Sequence, residues 1–224
     1  MRGSVVGHLI LKDWRLQCLP ILASVAAGAL ALAILQRGNE TAFVVGSVWL
    51  FVALIVIGCM LPIFAIVNER KKQNLAFLMS LPISNMQYTT AKLVSTVGMF
   101  LAPWLTMVVA TLLIVQIRGI LPHGTIPITL ILLMLPFVGF CFIAGTSLVG
   151  ESEGWSTAAT LVCNSSYGLV WYFIVKIPAL TLTFKSPVAI WSPTALAIFG
   201  SELASVPLML GLTFFLQSRK RDFV

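Results

Sequence analysis

The side chains that could catalyse a hydrolysis inside a membrane are few in this sequence. Such a reaction needs a serine nucleophile and a histidine base within hydrogen-bond reach of each other. The two histidines are His8, ahead of the first apolar run, and His123, in a polar loop. Neither is expected to reach a serine inside an apolar run, such as Ser147 or Ser165. The sequence therefore argues against an intramembrane hydrolase, and we predict no catalytic residues.

Cysteine spacing and nucleotide motifs indicate no cofactor site. Cys18, Cys59, Cys141 and Cys163 are each isolated in or beside apolar runs, without the spacing of metal ligands or of a disulfide framework. The sequence also lacks the G-x-x-x-x-G-K-[ST] loop that binds nucleotide phosphates. We therefore expect the chain itself to bind no metal and no cofactor.

Five polar side chains inside apolar runs are candidates for a translocation path. Glu202 is the one acidic residue within such a run, and intramembrane carboxylates commonly lie on substrate or ion paths. If the last run begins later, however, Glu202 lies at the outer headgroups. Asn164, Ser165, Ser166 and Tyr167 lie near the middle of another run. There they either hydrogen-bond between helices or contact a substrate, and the sequence leaves both roles open.

The composition indicates what kind of secondary structure carries these side chains. Of the 224 residues, 59% are hydrophobic and 9% are charged, whereas soluble domains carry about 25% charged residues. The sequence is therefore typical of an integral membrane protein with an all-α fold and one transmembrane domain over residues 1–224. Six apolar runs have about the 20 residues needed to cross the hydrocarbon core. The predicted spans are residues 18–36, 41–67, 93–117, 128–149, 157–175 and 194–216.

The distribution of cations predicts the orientation in the membrane. The net charge of +7 is not gathered on one basic face, as nucleic-acid binding would require, but in clusters beside the apolar runs. With a cytoplasmic N-terminus, ten of the 14 Lys and Arg residues lie on the cytoplasmic side. The positive-inside rule then predicts a plasma or inner membrane protein with both termini in the cytoplasm. The four cations on the other side are Arg37, Arg118, Lys176 and Lys185.

The longest polar stretch, residues 67–92, is a cytoplasmic loop in this orientation. It opens with a charged run over residues 68–72. Leu75, Leu78 and Met79 then recur at positions i, i+3 and i+4, a spacing typical of one apolar helix face. The pattern predicts a helix of about two turns, which is too short to cross a membrane.

Turn and capping residues fix where this short helix ends. Leu81-Pro82 stops it, because proline cannot continue the hydrogen-bond ladder. Ser84 and Gln87 form a capping-box pattern, so a second helix is expected to start there and continue into the third span. The short helix is therefore expected to be joined rigidly to two spans. It is either a passive helix in the headgroups or the part that contacts a partner protein.

The same stretch resembles the segment between the second and third spans of type-2 ABC transporter permeases. In that family the order is ER-x-x-x-(T/N)-L-x-x-L-x-S-L-P-(I/V)-(S/T), ending near a lysine. The resemblance covers the whole chain in size, number of spans and orientation, and "LILKDWRLQ" (9–17) is similar to the family's opening amphipathic helix. The matching residues are Glu69-Arg70, Leu75, Leu78, "SLPIS" (80–84) and Ala91-Lys92.

The resemblance implies a permease subunit of an ATP-driven exporter that forms its translocation pathway as a dimer. Its partners would be two copies of an ABC ATPase, which holds ATP and Mg, and a second permease copy or paralogue. The implied fold adds an N-terminal amphipathic interfacial helix and a cytoplasmic coupling helix. The interfacial helix would contain Lys12, Asp13, Trp14 and Arg15. The implied ATPase-coupling interface is Glu69, Arg70, Lys71, Lys72, Leu75, Leu78, Met79, Leu81 and Pro82, with the charged residues as its polar rim.

The residues themselves also allow a function without an ATPase. The alternative is a non-ABC polytopic membrane protein, such as an assembly factor or a pore-forming subunit, whose loop is a passive surface helix. An ATP-binding-cassette ATPase encoded beside this chain would favour the transporter. The mostly apolar spans favour an amphipathic transported molecule.

Overall fold

The computed structural model describes residues 2–37, 39–71, 85–118, 122–150, 152–184 and 186–219. Within these ranges the fold is all-α and contains no strand, as predicted. A π-helix, Ile63–Val67, continues the second helix, and a 3-10 turn, His123–Thr125, precedes the fifth. The α-helices are α1 (Arg2–Leu35), α2 (Glu40–Pro62), α3 (Asn68–Lys71), α4 (Asn85–Arg118), α5 (Ile126–Val149), α6 (Glu153–Lys176), α7 (Pro178–Thr181) and α8 (Pro193–Arg219).

Six helices of the described chain are long and apolar enough to cross a membrane. They are α1, α2 with its π-helical continuation, α4, α5, α6 and α8. The six predicted spans are therefore confirmed by length and composition, as expected of a multi-pass membrane protein. Several helices extend beyond the apolar runs, because polar flanking residues continue the same backbone hydrogen bonds.

Helix α5 lies at the centre of the bundle and packs against α2, α4, α6 and α8. Its most apolar window is 67% buried, compared with 11% for α8. Phe137 and Phe140 of α5 share one apolar cluster with Phe100 of α4 and Leu61 of α2. Lipid tails are as apolar as leucine, so close packing rather than exclusion of water stabilises such contacts.

Two glycines allow neighbouring helices to approach α5. A Cβ atom at Gly145 would lie 2.5 Å from Oγ1 of Thr213 on α8, and a Cβ atom at Gly139 would overlap the hydroxyl of Tyr167 on α6. Small residues of this kind are common where transmembrane helices pack backbone to backbone. Close packing of α6 and α8 against α5 therefore requires residues without a side chain at positions 139 and 145.

The residues of the predicted interfacial helix belong to the first long helix, and their location at a membrane surface stays a prediction. Residues Arg2–Leu35 form one uninterrupted helix that continues through Pro20. Trp14 and Arg15 lie on its exposed side, whereas Asp13 is 3% exposed and faces the bundle. The sequence has no break between Lys12 and the first apolar run, and burial of Asp13 fixes this part of the helix against its neighbours.

Candidate functional site

Four charged side chains that are distant in sequence come together at one end of the bundle. Lys92 Nζ of α4 lies 3.0 and 2.8 Å from the two carboxylate oxygens of Asp13 on α1. The same ammonium lies 2.7 Å from Oε2 of Glu69 on α3. Lys12 Nζ donates a hydrogen bond to Oε1 of Glu69 at 2.6 Å. We call these four residues the ion cluster; it connects α1, α3 and α4.

Three members of the ion cluster are shielded from the surroundings. Lys92 is 1% exposed, Asp13 3% and Glu69 9%, whereas the side chain of Lys12 is 41% exposed. The shielded members are one cation and two anions, and Lys12 at the exposed edge of the cluster brings the four residues to zero net charge. A buried charge is costly unless it is paired, and loss of one partner leaves the other uncompensated. The cluster therefore acts as a unit.

Polar faces of α1 and α4 bring the cluster residues into contact. Asp13 and Gln17 are four positions apart on α1 and are both buried. Thr89, Lys92 and Thr96 form the matching buried face of α4, and the Thr96 hydroxyl donates a hydrogen bond to the backbone carbonyl of Lys92. Residues three and four positions apart share one helix face, so each helix presents a polar stripe to the other.

The contact between α1 and α4 changes character along its length. Away from the ion cluster, Ala31 and Leu32 of α1 belong to the same buried apolar cluster as Met107 and Val108 of α4. Charge pairing therefore joins the two helices at one end, and van der Waals packing joins them at the other.

The π-helix places Glu69 on the buried side of its helix. Leu54 and Leu61 are buried and lie seven residues apart, about two helical turns, whereas Glu69 follows Leu61 by eight. The π-turn, in which the Asn68 amide donates to the Ile63 carbonyl, accommodates this extra residue. Short π-helical insertions are frequent at functional sites. Without the π-turn at Ile63–Val67, position 68 rather than position 69 would face α1 and α4.

Electrostatics keep Glu69 ionised. Burial alone would raise the pKa of its carboxyl, but the charge of Lys92 and the hydrogen bond from Lys12 outweigh burial and lower that pKa below its usual value. The Glu69 carboxylate is thus directed into the bundle, and its role in the polar rim of an ATPase interface stays a prediction.

The ion cluster lies next to the segment for which a coupling helix is predicted. Because Glu69 and Lys92 are in contact, α3, which precedes that segment, is held against α4, which follows it, at a point seven residues after α4 begins. Helix α4 begins at Asn85, next to Ser84 of the predicted capping box. Arg70 and Lys71 belong to α3. The other predicted coupling residues, Lys72, Leu75, Leu78, Met79, Leu81 and Pro82, lie outside the described residues.

The candidate pathway residues separate into two environments. Tyr167 is buried in α6, with its ring edge-on to Phe51 of α2 at a centroid distance of 5.7 Å. Asn164 and Ser165 are exposed on α6, and the side chain of Asn164 also interacts with the thiol of Cys59 on α2. The hydroxyl of Ser166 donates to the carbonyl of Val162 at 2.7 Å. Tyr167 therefore packs against α2 and α5, and contact of these residues with a transported molecule stays a prediction.

Glu202 is buried within the bundle. It follows the first residue of α8 by nine positions, roughly 13 Å along the axis at about 1.5 Å per residue. Its neighbours on the same helix face, Phe199 and Val206, pack on the central apolar cluster. Glu202 is 8% exposed, and its Oε2 atom has no hydrogen-bond partner among the described residues. This isolated carboxyl is the most unusual polar group of the six long helices.

Lys92 is the cluster residue that sequence reasoning did not assign to a site. A lysine flanked by Thr89 and Thr96 on one helix face is a weak signal of a buried polar stripe, and Asp13 with Gln17 is the corresponding signal on α1. Neither pattern indicates which stripe is the partner of the other.

No family model, no curated protein sequence and no solved structure matches this chain.

Proposed function

We propose that this chain is the membrane-spanning permease subunit of an ATP-driven exporter and works as a dimer with two copies of a separate ABC ATPase. The observation that supports this best is the ion cluster, because it joins the two helices that flank the segment predicted to contact the ATPase. The residue pattern of that segment, which resembles type-2 ABC permeases, supplies the identity of the partner. Hydrolysis of ATP takes place in the partner subunit.

In this proposal, the ion cluster transmits a movement of the predicted coupling segment directly to α1, α3 and α4. A displacement of the segment after α3 acts on Glu69, and Lys92 Nζ links Glu69 to Asp13 through contacts of 2.7 and 2.8 Å. Leaving one charge of a buried pair without its partner costs about 3–5 kcal/mol, several times the thermal energy. The ends of α1, α3 and α4 therefore move together. Binding of ATP then biases a two-state arrangement of these helices.

Glu202 is the candidate contact for a transported molecule in this proposal. An ionised carboxylate surrounded by apolar side chains is costly, so such a group is retained where it has a function. We expect Glu202→Gln to preserve folding and assembly but to reduce transport. Unchanged transport by that variant would remove Glu202 from the pathway without affecting the coupling assignment.

Co-purification with an ABC ATPase tests the proposal. The full chain is expressed together with an ABC ATPase from the same genome, and the retained ATPase is measured for wild type and for Leu75→Asp/Leu78→Asp. We expect the double variant to lose the ATPase, because two carboxylates replace the apolar face of the predicted coupling helix. Gln73→Asp/Asn74→Asp is the matched control, since it adds the same charge to the same segment without removing a leucine.

The outcomes separate the two interpretations of the loop. Retention of the ATPase by the control and its loss by the leucine variant support the permease assignment. Equal retention and equal ATP-dependent transport by both variants would show that residues 75 and 78 do not form the contact. If the wild-type chain retains no ATPase, the loop is a passive surface helix and the chain belongs to the non-ABC alternative.

A further inference from the structure

An apolar groove lies between α6 and α8, over the end of α5. Its volume is about 570 Å³. Gly145 and Val149 of α5 form the floor, Trp155 of α6 forms one wall, and Leu212 and Leu216 of α8 form the other. The side chains of both walls are exposed: Trp155 by 65%, Leu212 by 54% and Leu216 by 40%. The groove is thus open along its side and lies at the end of the bundle where α5 and α8 terminate.

The polar groups along the groove are already satisfied by the helices that carry them. The hydroxyl of Thr146 donates to the carbonyl of Phe142 at 2.9 Å, and that of Thr213 donates to the carbonyl of Met209 at 2.8 Å. Hydroxyls bonded within their own helix leave mainly methyl and methylene groups facing the groove. A polar solute would lose hydrogen bonds to water there and regain few. A hydrocarbon chain loses no hydrogen bonds when it enters the groove.

A cation lies just beyond the apolar part of the groove. Arg219 follows Leu216 by three residues, which places it about one turn further along α8. Its guanidinium carbon is 4.5 Å from the ring centroid of Phe215. Among the described residues, no carboxylate forms an ion pair with Arg219. This end of α8 is predicted to face the cytoplasm, and cytoplasmic leaflets are rich in anionic lipids.

We propose that this groove binds an anionic glycerophospholipid of the cytoplasmic leaflet. One acyl chain lies between Trp155 and the leucines of α8, and the phosphate contacts Arg219. The polar turn at Ser152 lies at the same end of the groove and receives the glycerol region. The site is separate from the ion cluster and does not require an ATPase, so it stands independently of the proposed function.

Native mass spectrometry of the full-length chain tests this site. The protein, with any subunits that co-purify, is placed in nanodiscs of equal parts phosphatidylglycerol and phosphatidylcholine, released into the gas phase, and its retained lipids are counted. Leu212→Trp fills the groove. Leu208→Trp is the matched control, because Leu208 is 72% exposed on the same helix and does not line the groove. Arg219→Gln removes the cation, and Arg15→Gln removes another exposed cation on α1, outside the groove.

Wild type is expected to retain phosphatidylglycerol in preference to phosphatidylcholine. Leu212→Trp should abolish this retention and Leu208→Trp should not. Arg219→Gln should reduce the preference about fivefold, the effect of one cation at an anionic leaflet, while Arg15→Gln leaves it unchanged. Equal retention by the two tryptophan variants, or no retained lipid in wild type, would overturn the proposal. A wild-type dimer that retains no lipid in the groove and dissociates on Leu212→Trp would show that a second copy occupies it.

Discussion

Replacing Lys92 by methionine removes the ammonium that lies within 3.0 Å of carboxylate oxygens of both Asp13 and Glu69. Methionine has a similar length, so the change removes charge with little change in volume. Glu69 keeps Lys12 at 2.6 Å, but the nearest remaining cation to Asp13 is Lys12 at 3.9 Å. Breaking a buried pair costs about 3–5 kcal/mol. Because Lys12 still compensates Glu69, we expect a value near the lower end, about 3 kcal/mol.

A double-mutant cycle separates this effect from a general loss of packing. Asp13→Asn removes one anion, and the variant Asp13→Asn/Lys92→Met retains the neutral pair of Lys12 and Glu69. The double variant should therefore be more stable than Lys92→Met alone, with a coupling energy of about 1–3 kcal/mol. Lys12→Met should cost less than about 1 kcal/mol, because its side chain is 41% exposed.

The assay is unfolding in mixed micelles, with the free energy measured for all four variants under one condition. Thermal unfolding provides a second readout, in which 1 kcal/mol corresponds to about 2–4 °C for a chain of this size. If Lys92→Met unfolds within about 1 kcal/mol of wild type, the cluster does not hold the helices together. If the two single changes add in the double variant, Asp13 and Lys92 are not coupled.

Two further predictions concern pH and helix packing. The pKa of Glu69 is lowered in the folded chain, so its stabilising effect is complete above the ordinary glutamate pKa, about 4.3, and is lost as pH falls through the folded value. The difference in unfolding free energy between wild type and Glu69→Gln should therefore narrow below pH 4–5; a difference that is constant with pH would contradict this. Gly145→Ala should destabilise the chain by about 1–3 kcal/mol, because the new methyl group meets Thr213 Oγ1 at 2.5 Å. Gly168→Ala is the control: nothing lies within 4 Å of a Cβ atom there, so it should be neutral or stabilising, and equal effects of the two changes in thermal unfolding would refute the packing argument.

The six spans were predictable because the membrane imposes a length and a composition on each of them. A run of about 20 apolar residues has few alternatives to a helix, since a backbone in lipid must satisfy its own hydrogen bonds. The start of α4 at Asn85 lies next to the start predicted from the capping pattern at Ser84, because capping depends on local chemistry alone. The continuity of α1 could not be predicted from the sequence. Whether the polar residues at 12–15 lie on a surface or inside a bundle depends on what packs against them.

The ion cluster could not be derived from the sequence. Lys92 and Asp13 are 79 positions apart, and nothing local to either identifies the other as its partner. The π-helix turns Glu69 inward by shifting the helix register by one residue. Such a shift leaves the pattern of apolar residues in the sequence almost unchanged. For Glu202 the residue type was informative, but its depth depended on where α8 begins. The residue pattern thus indicated which groups were unusual, and tertiary packing decided which of them meet.

The aromatic side chains of α4 and α5 provide a physical connection between the ion cluster and Glu202. Phe100 stacks on Phe140 with ring centroids 4.3 Å apart, and the Trp104 indole donates a hydrogen bond to the Leu133 carbonyl at 2.7 Å. These contacts bind α4, whose first turns carry Lys92, to the helix on which α8 packs. A rotation of α4 that preserves the ion cluster must either carry α5 with it or break this stack and hydrogen bond. Closely packed contacts of this kind switch between discrete arrangements rather than deform continuously. Movement of α3 would therefore change the surroundings of Glu202 in a step, as the proposed transport cycle with two access states requires.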